Sequence, residues 1–216
     1  MKNMVGTASV GTSTIEKVPG ATGIILAGGR SKRLRKDKLS LRVGGELVIE
    51  NVLNLFGRLF EKTILSVAQG SRVDLTGCKI VEDEFPGSLG GIYSGLRAAE
   101  TRVAFVAACD MPFINPDLVR YQATFAHEYD VVIPRTRGGL EPLHAFYSRD
   151  CLEHIRAQLS RDRLAIRGFF DTVRVKEIGP DEIARFDPEE FSFFNINTRA
   201  DLRKAERIKR CTAIQS

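Results

Sequence analysis

Apolar residues fall along this chain in two rhythms. Short continuous runs of strand length alternate with longer stretches in which apolar side chains recur at helical spacing. Thr22 to Leu26 is the first continuous run, bounded by glycines, and reads as a buried strand. Leu47 to Phe60 carries Val48, Val52, Leu55 and Leu59 on one stripe with Ile49, Leu53, Phe56 and Phe60 beside them, which predicts a helix with a broad apolar face. Thr63 to Val67 and Cys78 to Val81 read as further strands. Leu89, Ile92, Leu96 and Ala99 mark a second helix, opened by Pro86-Gly87-Ser88-Leu89-Gly90-Gly91. Val103 to Ala108 is again continuous and apolar, and it stops abruptly at Cys109-Asp110-Met111-Pro112. Asn115-Pro116-Asp117 opens a helix with a cap followed by proline. Asp130 to Pro134, His144 to Tyr147 and Val173 to Ile178 read as strands. Arg149 to Leu159, Leu164 to Phe170 and Arg199 to Ile208 read as helices.

Continuous apolar strands alternating with helices predict an α/β fold of three layers, α/β/α, around a mainly parallel central sheet. Ligands in such sheets sit beyond the carboxyl ends of the strands. Gly28-Gly29 and Asp110 both follow strands directly, so they are expected at the same edge. Residues 1–20, rich in Gly, Ser and Thr, read as a leader ahead of the fold, residues 21–210 as one domain and residues 211–216 as a C-terminal tail.

Composition narrows the classes. With 43% hydrophobic and 27% charged residues among 216, the chain can fill a core. No apolar run approaches the ~20 residues that cross a bilayer, and the N-terminus carries no apolar block of signal-peptide type. No membrane partner is therefore expected. Four cysteines, Cys78, Cys109, Cys151 and Cys211, have no metal-ligand spacing and read as reduced thiols of a cytoplasmic protein. The net charge of +5 fits any polyanionic ligand. The basic cluster from Arg30 to Lys38 lacks the interleaved aromatics of a single-strand binder, so the charge points to phosphate and not to nucleic acid.

Two places then carry chemistry. Glycines after a strand let the backbone pass close to a bulky anion, and successive N–H groups in such a turn form a concave anion site. Arg30, Arg33 and Lys38 add full positive charges after Leu26-Ala27-Gly28-Gly29. The spacing is not that of a Walker-type loop. Taken alone, the segment is either a phosphate loop or a tight turn with solvated basic residues. Asp110 is either a turn residue or a carboxylate for Mg²⁺, an ion that takes one or two protein carboxylates and fills its remaining positions with phosphate and water. His144, in an apolar strand, reads as a hydrogen-bonded structural histidine, while His127 and His154 read as surface or interhelical. Asn195 and Asn197 share a face if they lie on a short strand; the alternative is a turn leading to the last helix, capped by Thr198.

Leu26-Ala27-Gly28-Gly29-x3-Arg33-x4-Lys38, Asp83 ahead of Pro86-Gly87-Ser88-Leu89-Gly90-Gly91, and Cys109-Asp110-Met111-Pro112 occur in this order. Together with Leu140-Glu141-Pro142-Leu143-His144-Ala145-Phe146-Tyr147 and Phe194-Asn195-Ile196-Asn197-Thr198, they resemble the molybdenum cofactor guanylyltransferase family, over roughly residues 22–208. The resemblance implies a Rossmann-like (GT-A-like) nucleotidyltransferase fold. It implies that Leu26, Ala27 and Gly28 contact a guanine nucleotide through backbone groups, with Gly29 allowing close approach. Lys38, with Arg33, would neutralise phosphates, and Asp83 would bind near base or ribose. Gly87, Leu89 and Gly91 would shape the base pocket, Asp110 would hold Mg²⁺, and Asn195 and Asn197 would lie near the second substrate. Two positions depart from the family pattern: Arg35 where glycine is common, and Ser88 in place of proline.

The implied reaction moves GMP from GTP to the terminal phosphate of molybdopterin, with GTP and molybdopterin as substrates and molybdenum-insertion or molybdoenzyme-maturation proteins as partners. The alternatives keep the fold but use CTP or another acceptor phosphate, or make the chain a catalytically silent nucleotide-binding adaptor.

Overall fold

A computed structural model describes residues 16–28 and 38–213 of the chain. Gly29, Arg33 and Arg35 lie outside those residues. The chain forms β1 (Ala21–Leu26), a hairpin of β2 (Arg42–Val43) and β3 (Glu46–Leu47), α1 (Val48–Leu59), β4 (Lys62–Val67), β5 (Lys79–Glu82) and α2 (Gly87–Ala98). It continues with β6 (Val103–Ala108), α3 (Pro116–Ala123), β7 (Val131–Thr136), β8 (Gly139–Leu140), β9 (His144–Ser148) and α4 (Leu152–Leu159). It closes with β10 (Val175–Ile178), α5 (Pro180–Ile183) and α6 (Arg199–Ala213).

The sheet order is β10-β7-β9-β6-β1-β4-β5, with β8 added to β7. β1 pairs in parallel with β4 and β6, β4 with β5, and β10 with β7. β9 runs antiparallel to both of its neighbours, β6 and β7, and is the one reversed strand on that path among the described residues. The sheet is therefore mainly parallel.

Two cores make the three layers. Because side chains alternate across a strand, Val103, Phe105 and Ala107 of β6 join Val52 and Phe56 of α1, Leu118 of α3 and Ala205 of α6 on one face. Ala104 and Val106 join Ile92 and Leu96 of α2 and Ile155 and Leu159 of α4 on the other. α3 starts as its sequence dictates: Asn115 accepts from the N–H groups of Asp117 and Leu118, and proline takes the first turn, where no N–H bond is needed.

Several local readings change. Val18 is buried and donates its N–H to Leu59 O at 2.7 Å, so packing begins inside the stretch expected as a leader. α6 runs to Ala213, into the expected tail. The helix expected from Leu164 is a 3-10 helix over Ile166–Thr172, and Arg149–Cys151 forms a 3-10 turn before α4. Asn195–Asn197 is not a strand. It follows a 3-10 turn at Phe191–Phe193, bonds Asp110 O through Ile196 N–H and leads into the cap of α6 at Thr198, the second of the two readings its sequence left open. No helix among the described residues is long and apolar enough to cross a membrane.

Candidate active site

Strand register builds the site. Leu26 on β1 stands beside Ser66 on β4 and Ala108 on β6, and Val67 stands beside Glu82 on β5. The residues that follow these positions, Ala27-Gly28, Cys109-Asp110 and Asp83, therefore emerge at one edge. Backbone bonds extend the alignment past the strands: Ala27 N–H donates to Ser66 O at 2.7 Å, Cys109 N–H to Leu26 O at 3.0 Å, and Asp83 N–H to Val67 O at 2.8 Å. α2 follows β5, so its N-terminus opens toward the same edge, where the dipole and free N–H groups favour negative charge. Its N-cap, Pro86, supplies no side-chain bond, and Gly87 adopts φ 82°, a conformation that strains residues with a Cβ.

Gly28 and Asp83 are one unit. A Cβ on Gly28 would collide with Oδ2 of Asp83, so only glycine lets the loop lie on this carboxylate. Asp83 is 8% exposed, and its Oδ1 accepts from the Ser66 hydroxyl. Ser66 Oγ also lies 3.1 Å from Gly91 O, so one hydroxyl joins β4, β5 and α2. Burial pushes the Asp83 carboxyl above its usual range, opposed by the Ser66 bond. Leu89 is fully buried and Gly91 packs on Leu26 and Ser66, so both shape the wall from behind rather than presenting side chains to the open edge. Sequence reasoning missed Ser66; a serine inside the otherwise apolar stretch Ile64 to Val67 was the available signal.

Beside this unit stand Lys38 and Asp110. Lys38 begins a short 3-10 turn whose next anchor, Leu41, is buried in the core and accepts the N–H of Val48 at 2.9 Å. This holds Lys38 Nζ 2.6 Å from Asp110 Oδ2, with the side chains 20% and 1% exposed respectively. The contact is an ion pair without hydrogen-bond alignment, and Asp110 Oδ1 has no hydrogen-bond partner among the described residues. A buried carboxylate with an unanswered oxygen is costly to keep and suits a bound cation.

The C-terminal segment closes the site from the β6 side. Ile196 N–H donates to Asp110 O at 3.1 Å, which places Asn195 and Asn197 on either side of that contact. Asn195 is half-buried and donates to Phe193 O at 3.0 Å, whereas Asn197 is exposed. Thr198 caps α6: its Oγ1 accepts from Asp201 N–H at 3.1 Å, and the Asp201 carboxylate accepts from Thr198 N–H at 2.8 Å.

His144 corrects an expectation. It starts β9 beside Ala107, fully buried, with its ring 5.0 Å from both Phe105 and Phe193. Neither Nδ1 nor Nε2 has a side-chain hydrogen-bond partner among the described residues. Burial pulls its pKa down to about 4, so it is a neutral packing group. Two phenylalanine rings pack edge-on against it, which pattern alone could not reveal. His127 and His154 are exposed, and none of the four cysteines is in a disulfide with a described residue.

This edge combines a glycine turn on a carboxylate, a lysine, and a buried aspartate with an oxygen unanswered among the described residues, a set that suits an anion together with a cation. The family model described as "MobA-like NTP transferase domain" matches residues 23–175. The chain belongs to that family. A probable molybdenum cofactor guanylyltransferase of Pelotomaculum thermopropionicum is 39% identical over 189 residues, covering 86% of this chain and 91% of the relative. A molybdenum cofactor guanylyltransferase of Desulfosudis oleivorans is 35% identical over 191 residues, covering 86% and 94%. The molybdopterin-guanine dinucleotide biosynthesis protein A of Archaeoglobus fulgidus superposes with a TM-score of 0.78 at 26% identity, covering 88% of this chain and 98% of that structure. As a MobA-like NTP transferase, the chain is a nucleotidyltransferase.

The family's chemistry fits the residues present. Among the described residues there is no group of three or more His, Cys, Asp or Glu that could hold a metal by themselves. A cation held by one carboxylate and by substrate phosphates needs no such group, and the open oxygen of Asp110 meets that requirement.

Proposed function

We propose that this nucleotidyltransferase moves GMP from GTP to the terminal phosphate of molybdopterin and releases pyrophosphate. The observation that carries this reading is the Lys38–Asp110 pair, set between the Gly28 turn and the Asn195–Asn197 segment. The two flanks give one subsite for a nucleotide and one for an acceptor, with positive charge and a carboxylate where their phosphates meet.

An oxygen of the acceptor phosphate attacks the α-phosphorus of GTP. The bond from that phosphorus to the oxygen bridging to the β-phosphate breaks, and pyrophosphate leaves with the electron pair. The nucleophile is already anionic, so no side chain need act as a general base. Catalysis rests on alignment and charge stabilisation. Leu26, Ala27 and Gly28 offer backbone to the nucleotide, and Asp83, Gly87, Leu89 and Gly91 fix the wall against which base and ribose lie. Lys38 exchanges Asp110 for the triphosphate, which frees the carboxylate. Mg²⁺ at Asp110 would supply further charge neutralisation at the α-phosphate. Asn195 and Asn197 hold the acceptor. Gly29 and Arg33 belong to the same assignment but lie outside the described residues. We place the reaction in the cytoplasm, where GTP is available and four thiols stay reduced.

Pyrophosphate release measured with molybdopterin and each of the four nucleoside triphosphates tests this reading. GTP should support turnover and the other three should not. Preference for CTP, or turnover only with a different acceptor phosphate, would overturn it.

A further inference from the structure

Most buried or half-buried carboxylates of this protein are answered by a cation or by backbone N–H groups. Asp110 has Lys38 and Asp130 has Arg174. Asp187 accepts from the N–H groups of Phe191 and Ser192, and Asp201 caps α6. Glu141 differs. It is half-buried, its Oε1 accepts from Thr136 Oγ1 at 3.1 Å, and no ion pair with a described residue reaches it. Burial pushes its carboxyl above the usual range and Glu190 adds to the shift, with the Thr136 hydroxyl opposing.

Its backbone is fixed at the functional edge. Glu141 N–H donates to Pro134 O at 2.9 Å, near the carboxyl end of β7, and Glu141 O accepts from His144 N–H at 3.1 Å. β7 is separated from β6, which leads into Asp110, only by β9. Two strand spacings amount to about 10 Å, a span that a fused-ring molecule carrying a phosphate can bridge. The chain from Glu190, whose charge Glu141 feels, to Ile196, which bonds Asp110 O, covers the same interval.

A half-buried carboxylate without a cation among the described residues calls for a ligand that gives hydrogen bonds without needing full charge. Unlike Asp110, Glu141 does not stand where the phosphates of the two substrates are proposed to meet, so a cation there would lack the phosphate oxygens that complete its shell. A 2-amino-4-oxopyrimidine ring fits: its ring N–H and exocyclic amino group lie side by side and match the two oxygens of one carboxylate. We infer that Glu141 is a specificity-determining residue for the acceptor, its carboxylate receiving the paired N–H donors of the pterin ring while the pterin's phosphate lies at Asp110. This rests on the reading of the acceptor as molybdopterin. Guanine carries the same donor pair, so the test must read the two substrates separately.

Glu141→Gln keeps the size of the side chain and replaces one acceptor by a donor, and Thr136→Val removes the hydroxyl that orients Oε1. With turnover measured as pyrophosphate release, Glu141→Gln should raise the KM for molybdopterin at least about tenfold. The kcat at saturating acceptor should stay within about twofold and GTP binding should not change, with Thr136→Val intermediate. Equilibrium binding of free pterin, read by its fluorescence, should weaken in the same order without any dependence on turnover. An unchanged acceptor KM, a parallel loss of GTP affinity, or pterin binding equal in wild type and Glu141→Gln would each overturn the assignment. Failure of the wild type to join GMP to molybdopterin, with pterin binding still dependent on Glu141, would overturn the proposed reaction and leave the pterin site standing.

Discussion

The two sides of Asp110 are built by different means. On the β1-β4-β5 side every strand is parallel, and the site consists of backbone: the Gly28 turn, the uncapped start of α2 and a buried Ser66–Asp83 link beneath them. On the β9-β7-β10 side one strand is reversed, and the site consists of side chains on loops, Glu141, Asn195 and Asn197. Backbone N–H groups and glycine turns read the phosphates that every nucleoside triphosphate shares, which leaves choice of base to the wall around Asp83. A side-chain subsite can be retuned one residue at a time. On the proposed reading, the asymmetry puts nucleotide binding on one flank and choice of acceptor on the other, with the Lys38–Asp110 pair on the seam.

The seam should be the most sensitive place. Asp110→Asn or Lys38→Ala should lower kcat for pyrophosphate release by at least about 10²–10³-fold, the scale of losing a charge-stabilising group, while far-UV circular dichroism stays native. Near-normal turnover in either variant would dissolve the division between the flanks. On the acceptor side, His144 provides the next largest effect. Its folded pKa of about 4 lies below the unfolded reference of 6.5, so the stability linked to the neutral ring is complete above the unfolded value. It is lost as pH falls from 6.5 toward 4 and should reach about 3 kcal/mol. Denaturant titrations should show this slope, and His144→Phe should flatten it; an equal slope in the variant would shift the effect to other groups. On the donor side, Gly28→Ala should cost about 1–3 kcal/mol through the clash with Asp83, measured as a lower melting temperature and weaker GTP binding. Adding Asp83→Ala should recover part of that loss, and strict additivity would mean that the two residues do not touch. The smallest effect is expected from Thr198→Ala, about 1 kcal/mol for the lost α6 cap, seen in thermal melts with GTP binding intact.

Legibility in the sequence followed the same division. β1, β4 and β6 are continuous apolar runs because helices cover both faces, so composition alone marks them. The cap and proline at Asn115-Pro116 marked α3. The hairpin of β2 and β3 and the strand β8 went unseen, since two-residue strands leave no period to detect. The Asn195 segment read either as a strand or as a turn capped by Thr198, and the turn holds, fixed in part by a bond to Asp110 O, a contact remote in sequence. Asp110 and Lys38 stood out as residue types, but their pairing came only from the turn that Leu41 anchors. Ser66 and the bare ring nitrogens of His144 depend on neighbours from three or more elements, which no local pattern encodes.

The reversed strand also bears on how the molecule forms. β7 and β10 reach the rest of the sheet only through β9, although β7 precedes β9 in the chain. A nascent chain that has emerged only as far as residue 143 can assemble β5, β4, β1 and β6, but β7 must wait without its inner neighbour. Contacts between elements distant in sequence close late and slowly, and an unpaired strand edge is where growing chains stick to one another. Insertion of β9 is therefore the step at which two half-sheets become one, and expression at lower temperature or with holdase chaperones should raise yield by protecting the chain through that interval.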